Sequence, residues 1–153
     1  MFNLKKILVP TDFSEYSQRA VEHAADIAAK YKGKVILLHV VEENIKECAI
    51  NYLVDYCISD DFVTKFEREI MKSSNERLQK QVDNLKDSKK VDIDYMIKKG
   101  DPADVILEEQ VKTGADLLVL APYGNMGAAK YSIGGITDKV VRTATCNVMV
   151  SKI

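Results

Sequence analysis

The sequence predicts a doubly wound α/β fold, a five-stranded parallel sheet with helices on both faces. Three observations carry this. Five short apolar runs recur along the chain. Between each consecutive pair lies a segment with helical spacing of apolar residues. Each crossover is long enough for parallel pairing, and strict β-α alternation favours a sheet covered on both faces.

Taken in order, Lys5–Val9 is the first strand, stopped by Pro10. Ser14 is suited to cap the first helix, with Glu15 in its first turn. Tyr16, Ala20, Ala24, Ile27, Ala28 and Tyr31 form its apolar face, and Gly33 is its stop signal. Val35–Val41 is an unbroken aliphatic and β-branched run, as in a strand covered on both faces. Glu42–Asp61, of mixed polarity, reads as an inserted loop or short helix. Phe62, Phe66, Ile70, Leu78, Val82 and Leu85 mark a long second helix whose other face carries a solvated run of charges. Val91–Ile97 alternates apolar and polar residues, as expected near a sheet edge. Asp101 and Pro102 are a helix cap and first residue. That third helix runs to about Thr113, where Gly114 ends it. Leu117–Ala121 is the fourth strand, a glycine-rich loop leads to a fourth helix ending near Ala144, and Asn147–Ser151 is the last strand.

The 153 residues fit one domain, 1–153, long enough to bury about 70% of the unfolded surface. Lys and Arg number 22 against 23 Asp and Glu, a net charge of −1 that gives no electrostatic reason to expect nucleic acid or an anionic membrane as partner. No stretch approaches the ~18 apolar residues of a membrane span, and the amino-terminal apolar run is too short for a signal-peptide core. A cytoplasmic protein is the expectation. Three cysteines without a CxxC, and two histidines, support neither a disulfide framework nor a cysteine–histidine metal site. His39, in an apolar strand, reads as a hydrogen-bonded core histidine, and Cys146 as a small buried filler.

The segment that points to function follows the fourth strand. Gly124, Gly127, Gly134 and Gly135 space a loop longer than the ~2–6 residues usual before a helix. Glycines let backbone N–H groups approach an anion, and the helix start at Ile136–Thr137 adds unsatisfied donors. The alternative is a surface turn. In open parallel sheets ligands sit beyond the carboxyl ends of the strands. Pro10, Thr11 and Asp12 end the first strand; if it neighbours the fourth, Asp12 and the glycine loop face one crevice. There Asp12 can accept from a ribose hydroxyl or help hold Mg²⁺ near phosphates; locally, it can form an Asx turn instead. Lys130, the sole basic residue between Ala121 and Asp138, either reaches phosphate or is a solvated loop lysine. Neither GxxxxGK[ST] nor an early GxGxxG is present.

Read together, KKILVPTDFS at 5–14, AADIAAKY at 24–31, LLHVV at 37–41, KKGDPADVI at 98–106 and the Gly124-x9-Gly134 loop before ITDKVVRTATCNVMV make the whole chain similar to the universal stress protein family. The resemblance implies a strand order 3-2-1-4-5, a dimer through the fifth strand, and ATP, with or without Mg²⁺, as ligand. The family's nucleotide-binding branch carries Gly-x2-Gly-x9-Gly-[Ser/Thr]. Ala121 stands at the first of these positions, Gly124 and Gly134 match the next two, and Gly135 replaces the hydroxyl residue, with Thr137 a nearby substitute. Tyr123 stands where the family often has His. The resemblance also places Asp12 near ribose and metal, and gives Val41 main-chain contacts to adenine. The expected function is regulatory nucleotide binding, with an unknown protein partner and no catalysis beyond slow ATP hydrolysis. The rivals are a nucleotide-free interaction dimer, which Ala121 and Gly135 support, and a nucleotidyl-transferring enzyme. An edge argument also favours dimerisation: nothing later in this sequence covers the outer edge of 147–151.

Overall fold

The computed structural model describes residues 4–42, 60–124 and 133–152. Five parallel strands form one sheet: β1 (Lys6–Pro10), β2 (Lys34–Val41), β3 (Asp92–Lys99), β4 (Leu117–Leu120) and β5 (Asn147–Val150). The order is β3-β2-β1-β4-β5, as the family resemblance implies. Four described helices join them: α1 (Glu15–Tyr31), α2 (Asp60–Lys89), α3 (Pro102–Thr113) and α4 (Gly135–Thr143). The predicted insertion at 42–61 lies almost wholly outside the described residues.

The period of two along each strand divides the core into two layers. Ile7 and Val9 join Ala20, Val21, Ala24 and Leu78 beneath α1 and α2. Leu8, between them, packs with Leu38, Ile106, Leu118 and Val140 beneath α3 and α4. β1 is central and its Ile7, Leu8 and Val9 are fully buried, which is why it has no polar face to alternate.

The caps follow local chemistry. The Ser14 hydroxyl accepts from Ser17 N–H at 3.1 Å, and the Asp101 carboxylate accepts from Asp104 N–H at 3.0 Å ahead of Pro102. Gly114 closes α3 in the left-handed region at φ 64°. The end of α1 differs from expectation. The left-handed residue is Lys32 (φ 54°), while the Gly33 N–H donates to Ala28 O at 2.9 Å. Gly33 is required for another reason: a Cβ there would lie 2.6 Å from Leu4 O, where the amino-terminal segment crosses.

The apolar stripe of α2 also needs correction. Leu78, Val82 and Leu85 are core, yet Phe62 and Phe66 are about half exposed and stack on each other, centroids 6.4 Å apart. A 30-residue helix is about 45 Å long, whereas the eight residues of β3 span about 26 Å. The sheet ends before the stripe does. Tyr31, assigned to the buried face of α1, is 51% exposed.

Candidate functional site

β1 sits between β2 and β4, so the chain winds away from it in both directions. This topological switch opens a crevice beyond the carboxyl ends of β1 and β4. A cavity of about 250 Å³ lies there. Leu38, Val40, Ile106, Leu120, Ala121 and Ile136 give it an apolar wall, and Thr11, Asp12, Glu42, Tyr123 and Thr137 add polar groups.

Every predicted site residue but Lys130 can be placed. Pro10, Thr11, Asp12, Ala121, Gly124, Ile136 and Thr137 all border the cavity. Asp12 and Gly124 meet across it: a Cβ on Gly124 would lie 2.9 Å from Asp12 Oδ2. The other Asp12 oxygen, Oδ1, accepts from Ser14 N–H at 3.0 Å, so the Asx turn is present alongside the wall position. Gly134 and Gly135 start α4 just behind Ile136. Gly134 N–H donates to Pro122 O at 2.9 Å, which brings the two ends of the glycine loop together. Lys130 lies outside the described residues. Val41 is not on the wall; its neighbours Val40 and Glu42 are, and the Val41 carbonyl accepts from Gly100 N–H at 3.1 Å.

Two features change the chemistry expected from sequence. Thr137 Oγ1 donates to Ala121 O at 2.9 Å, tying α4 to the end of β4, so its hydroxyl hydrogen is already engaged. Glu42 is a second carboxylate on the wall that sequence reasoning passed over. The period of two from Leu38 and Val40 points to it, because Glu42 continues that face. Pro102 and Ile106 of α3 also border the cavity and carry no sequence signal of their own.

Thr11, 4% exposed, anchors the β1–α1 turn: its hydroxyl lies 3.2 Å from Ser17 Oγ and accepts from Phe13 N–H at 3.2 Å. Phe13 itself is left-handed (φ 63°), a conformation that disfavours a bulky side chain. Its ring is held between the His39 imidazole, 4.5 Å away, and the Arg77 guanidinium, 4.0 Å away. His39 Nδ1–H donates to Thr11 O at 2.8 Å, since a carbonyl can only accept. Burial first, and Arg77 after it, hold the imidazole below the usual histidine range, against the opposing pull of Thr11 O and Asp12. The unfolded chain therefore takes up a proton that the folded chain resists. Stability contributed by neutral His39 is complete above about pH 6.5 and falls as pH drops below that value. Denaturant midpoints at pH 7.5 and 5 should differ less in His39→Gln than in the parent; an unchanged difference refutes the assignment.

Other candidates fall away from the cavity. A larger groove of about 500 Å³ runs between α1 and α2, bordered by the exposed side chains of Arg77, Lys80 and Asn84, and it shares no described residue with the cavity. Ser151 Oγ lies 2.6 Å from His23 Nδ1, and neither residue borders the cavity. Cys146 is half-buried rather than buried, and its thiol donates to Gln110 Oε1 at 3.0 Å. Burial raises its pKa, which marks a structural rather than a reactive thiol. Among the described residues no group of three or more His, Cys, Asp or Glu side chains is placed to hold a metal ion, and no helix is long and apolar enough to cross a membrane.

The family model described as "Universal stress protein family" matches residues 3–152. The chain belongs to the universal stress protein family. It is 29% identical to Universal stress protein MJ0577 of Methanocaldococcus jannaschii, over 97% of this chain and 94% of that protein. Universal stress protein UspA from Lactobacillus plantarum superposes with a TM-score of 0.82 at 22% identity, covering 98% of this chain and 99% of the other. A universal stress protein solved in complex with cAMP superposes with a TM-score of 0.65 at 25% identity, covering 97% of each chain.

Proposed function

We propose that this universal stress protein is a cytoplasmic regulatory module that binds an adenine nucleotide, ATP with Mg²⁺ included, in the cavity beyond β1 and β4. The observation that carries the reading is the meeting of Asp12 and Gly124 at the mouth of that cavity, with the start of α4 beside them. A purine has an apolar wall to pack on in Leu38, Val40 and Ile106. The ribose hydroxyls come within the province of Asp12, and the amides of Gly135 and Ile136 offer donors to phosphate. Asp12 is the residue that would hold Mg²⁺, which would offset phosphate charge; one carboxylate is enough when ligand and water supply the other oxygens. The relative solved with cAMP supports an adenine nucleotide as ligand class.

Isothermal titration with MgATP and with AMP tests this. The expected affinities are micromolar to sub-millimolar, about 5–8 kcal/mol. Neither heat nor a thermal shift with either ligand at millimolar concentration refutes it. That result would favour the second reading, a nucleotide-free dimer acting through protein contacts, which the Ala121 and Gly135 departures favour.

Under either reading we propose a homodimer through β5. Among the described residues β5 pairs with β4 alone. Ser151 N–H donates to Leu120 O, so by alternation the N–H groups of Val148 and Val150 face outward from the sheet. A twofold copy would satisfy them. Val148→Pro removes one outward donor and leaves the β4 ladder intact. Sedimentation at micromolar concentration should show a dimer for the parent and a shift toward monomer for the variant; a monomeric parent refutes the assembly.

A further inference from the structure

Resting on the adenine-nucleotide reading, we infer that Arg77 is a positioning residue for the site. From α2, outside the cavity, it holds the Phe13 ring and through that ring sets the Asp12 carboxylate on the cavity wall.

The link runs through the backbone. Ser14 N–H reaches Asp12 Oδ1 across Phe13, at 3.0 Å. The dihedral angles of Phe13 aim that N–H, so the bond belongs to the left-handed Phe13, φ 63°. With Oδ1 so engaged, Oδ2 is left on the side of Gly124. Both ends of the turn are fixed. Thr11 N–H donates to Leu38 O at 2.8 Å and its carbonyl accepts from His39, while the Ser14 hydroxyl caps α1. Phe13 is the strained member between them, since a residue with a Cβ disfavours the left-handed region.

The ring offsets that strain. It packs against the layer beneath α1 and α2, with its centroid 4.5 Å from the His39 ring and 4.0 Å from the Arg77 guanidinium. His39 stands on β2, beside the turn it supports. Arg77 comes from another element, where the adjoining Leu78, fully buried, anchors the helix. The Arg77 side chain is exposed and, among the described residues, forms no ion pair. A guanidinium on a ring, an aromatic pair and one left-handed residue have energies of the same order. Without Arg77 a share of the molecules relaxes the turn and turns the carboxylate away. Apparent nucleotide affinity then falls in proportion to the share that stays competent.

The test is titration calorimetry on the full chain with AMP and with MgATP, with unfolding curves to certify the fold. Arg77→Gln should weaken binding about two- to fivefold. Arg77→Lys, which keeps a cation for the ring, should recover most of that loss. Lys80→Gln is the control for charge alone: Lys80 borders the same groove but does not lie on the ring, and its variant should bind like the parent. In a Phe13→Leu background, Arg77→Gln should cost nothing further, because the two act as one unit. Arg77→Gln binding like the parent overturns the inference and leaves the nucleotide reading standing. So does an equal loss in Lys80→Gln, a lysine at 77 no better than glutamine, or an undiminished cost of Arg77→Gln beside Phe13→Leu. A parent that binds neither probe overturns the nucleotide reading itself, and the inference falls with it.

Discussion

Gly124→Val is expected to lower adenine-nucleotide affinity about 5- to 150-fold while the sheet stays folded. A Cβ at this position lies 2.9 Å from Asp12 Oδ2, closer than nonbonded atoms approach. Asp12 has little freedom to retreat, because its other oxygen is held by Ser14 N–H. Relief must come from displacing the loop or turning the carboxylate, and either moves a wall of the cavity. Overpacking of this kind costs about 1–3 kcal/mol, which is the stated range in affinity. Gly134→Ala is the control. Gly134 has φ −60°, accessible to any residue, and a Cβ there would meet Pro122 O at 3.4 Å. Its effect should stay within about threefold. Calorimetric titration of both variants, with unfolding curves to certify the fold, measures the contrast. A folded Gly124→Val that binds like the parent would remove the glycine loop from the site.

Leu118→Ala should be the most damaging conservative change in the sheet. Leu118 is fully buried on β4, paired with Leu8 on one side and Val148 on the other. It packs into the layer beneath α3 and α4 with Ile106 and Val140. Truncation removes its apolar contacts and leaves a cavity between two strands that cannot close on it. The expected loss is about 2–5 kcal/mol, or a fall in Tm of about 5–15 °C for a chain of this size. Val111→Ala, at a side chain 66% exposed, should change stability by less than about 0.5 kcal/mol. Equal effects of the two substitutions in chemical denaturation would refute the placement of this layer.

Much of the fold was legible because its signals are local. The runs at Val35–Val41 and Leu117–Ala121 carry β-branched and aliphatic residues on both faces, and only a covered parallel strand tolerates that. Ser14, Asp101–Pro102 and Gly114 punctuate helices through their own backbone chemistry, and each does so in the structure. What escaped depends on distant neighbours. Nothing in the order of residues says that β3 is shorter than α2, so Phe62 and Phe66 looked like core. The left-handed Phe13 has no turn signature, since it is held by His39 and Arg77 from other elements. In the site, Asp12 and Gly124 were found because each ends a strand at the switch point. Thr137 was read as a spare hydroxyl because its acceptor, sixteen residues earlier, is visible only once α4 is seated against β4.

The central place of β1 bears on how the chain reaches this structure as it is made. β1 leaves the ribosome before the other four strands of the sheet, yet one of its two partners starts 110 residues later, where Ile7 pairs with Leu117. Asp116 reinforces that distant join: its carboxylate accepts from the Lys5 and Lys6 N–H groups at 2.9 Å each, and its own N–H donates to Lys6 O. β1 and β2 can pair early, but the layer beneath α3 and α4 lacks Leu118 and Leu120 until β4 is synthesised. At about 5–20 residues per second, the nascent amino-terminal half waits several seconds or more with Leu8 and Leu38 uncovered. Such long-range closure slows folding, and it makes a chain cut short before Leu117 a customer for chaperones rather than a smaller stable protein.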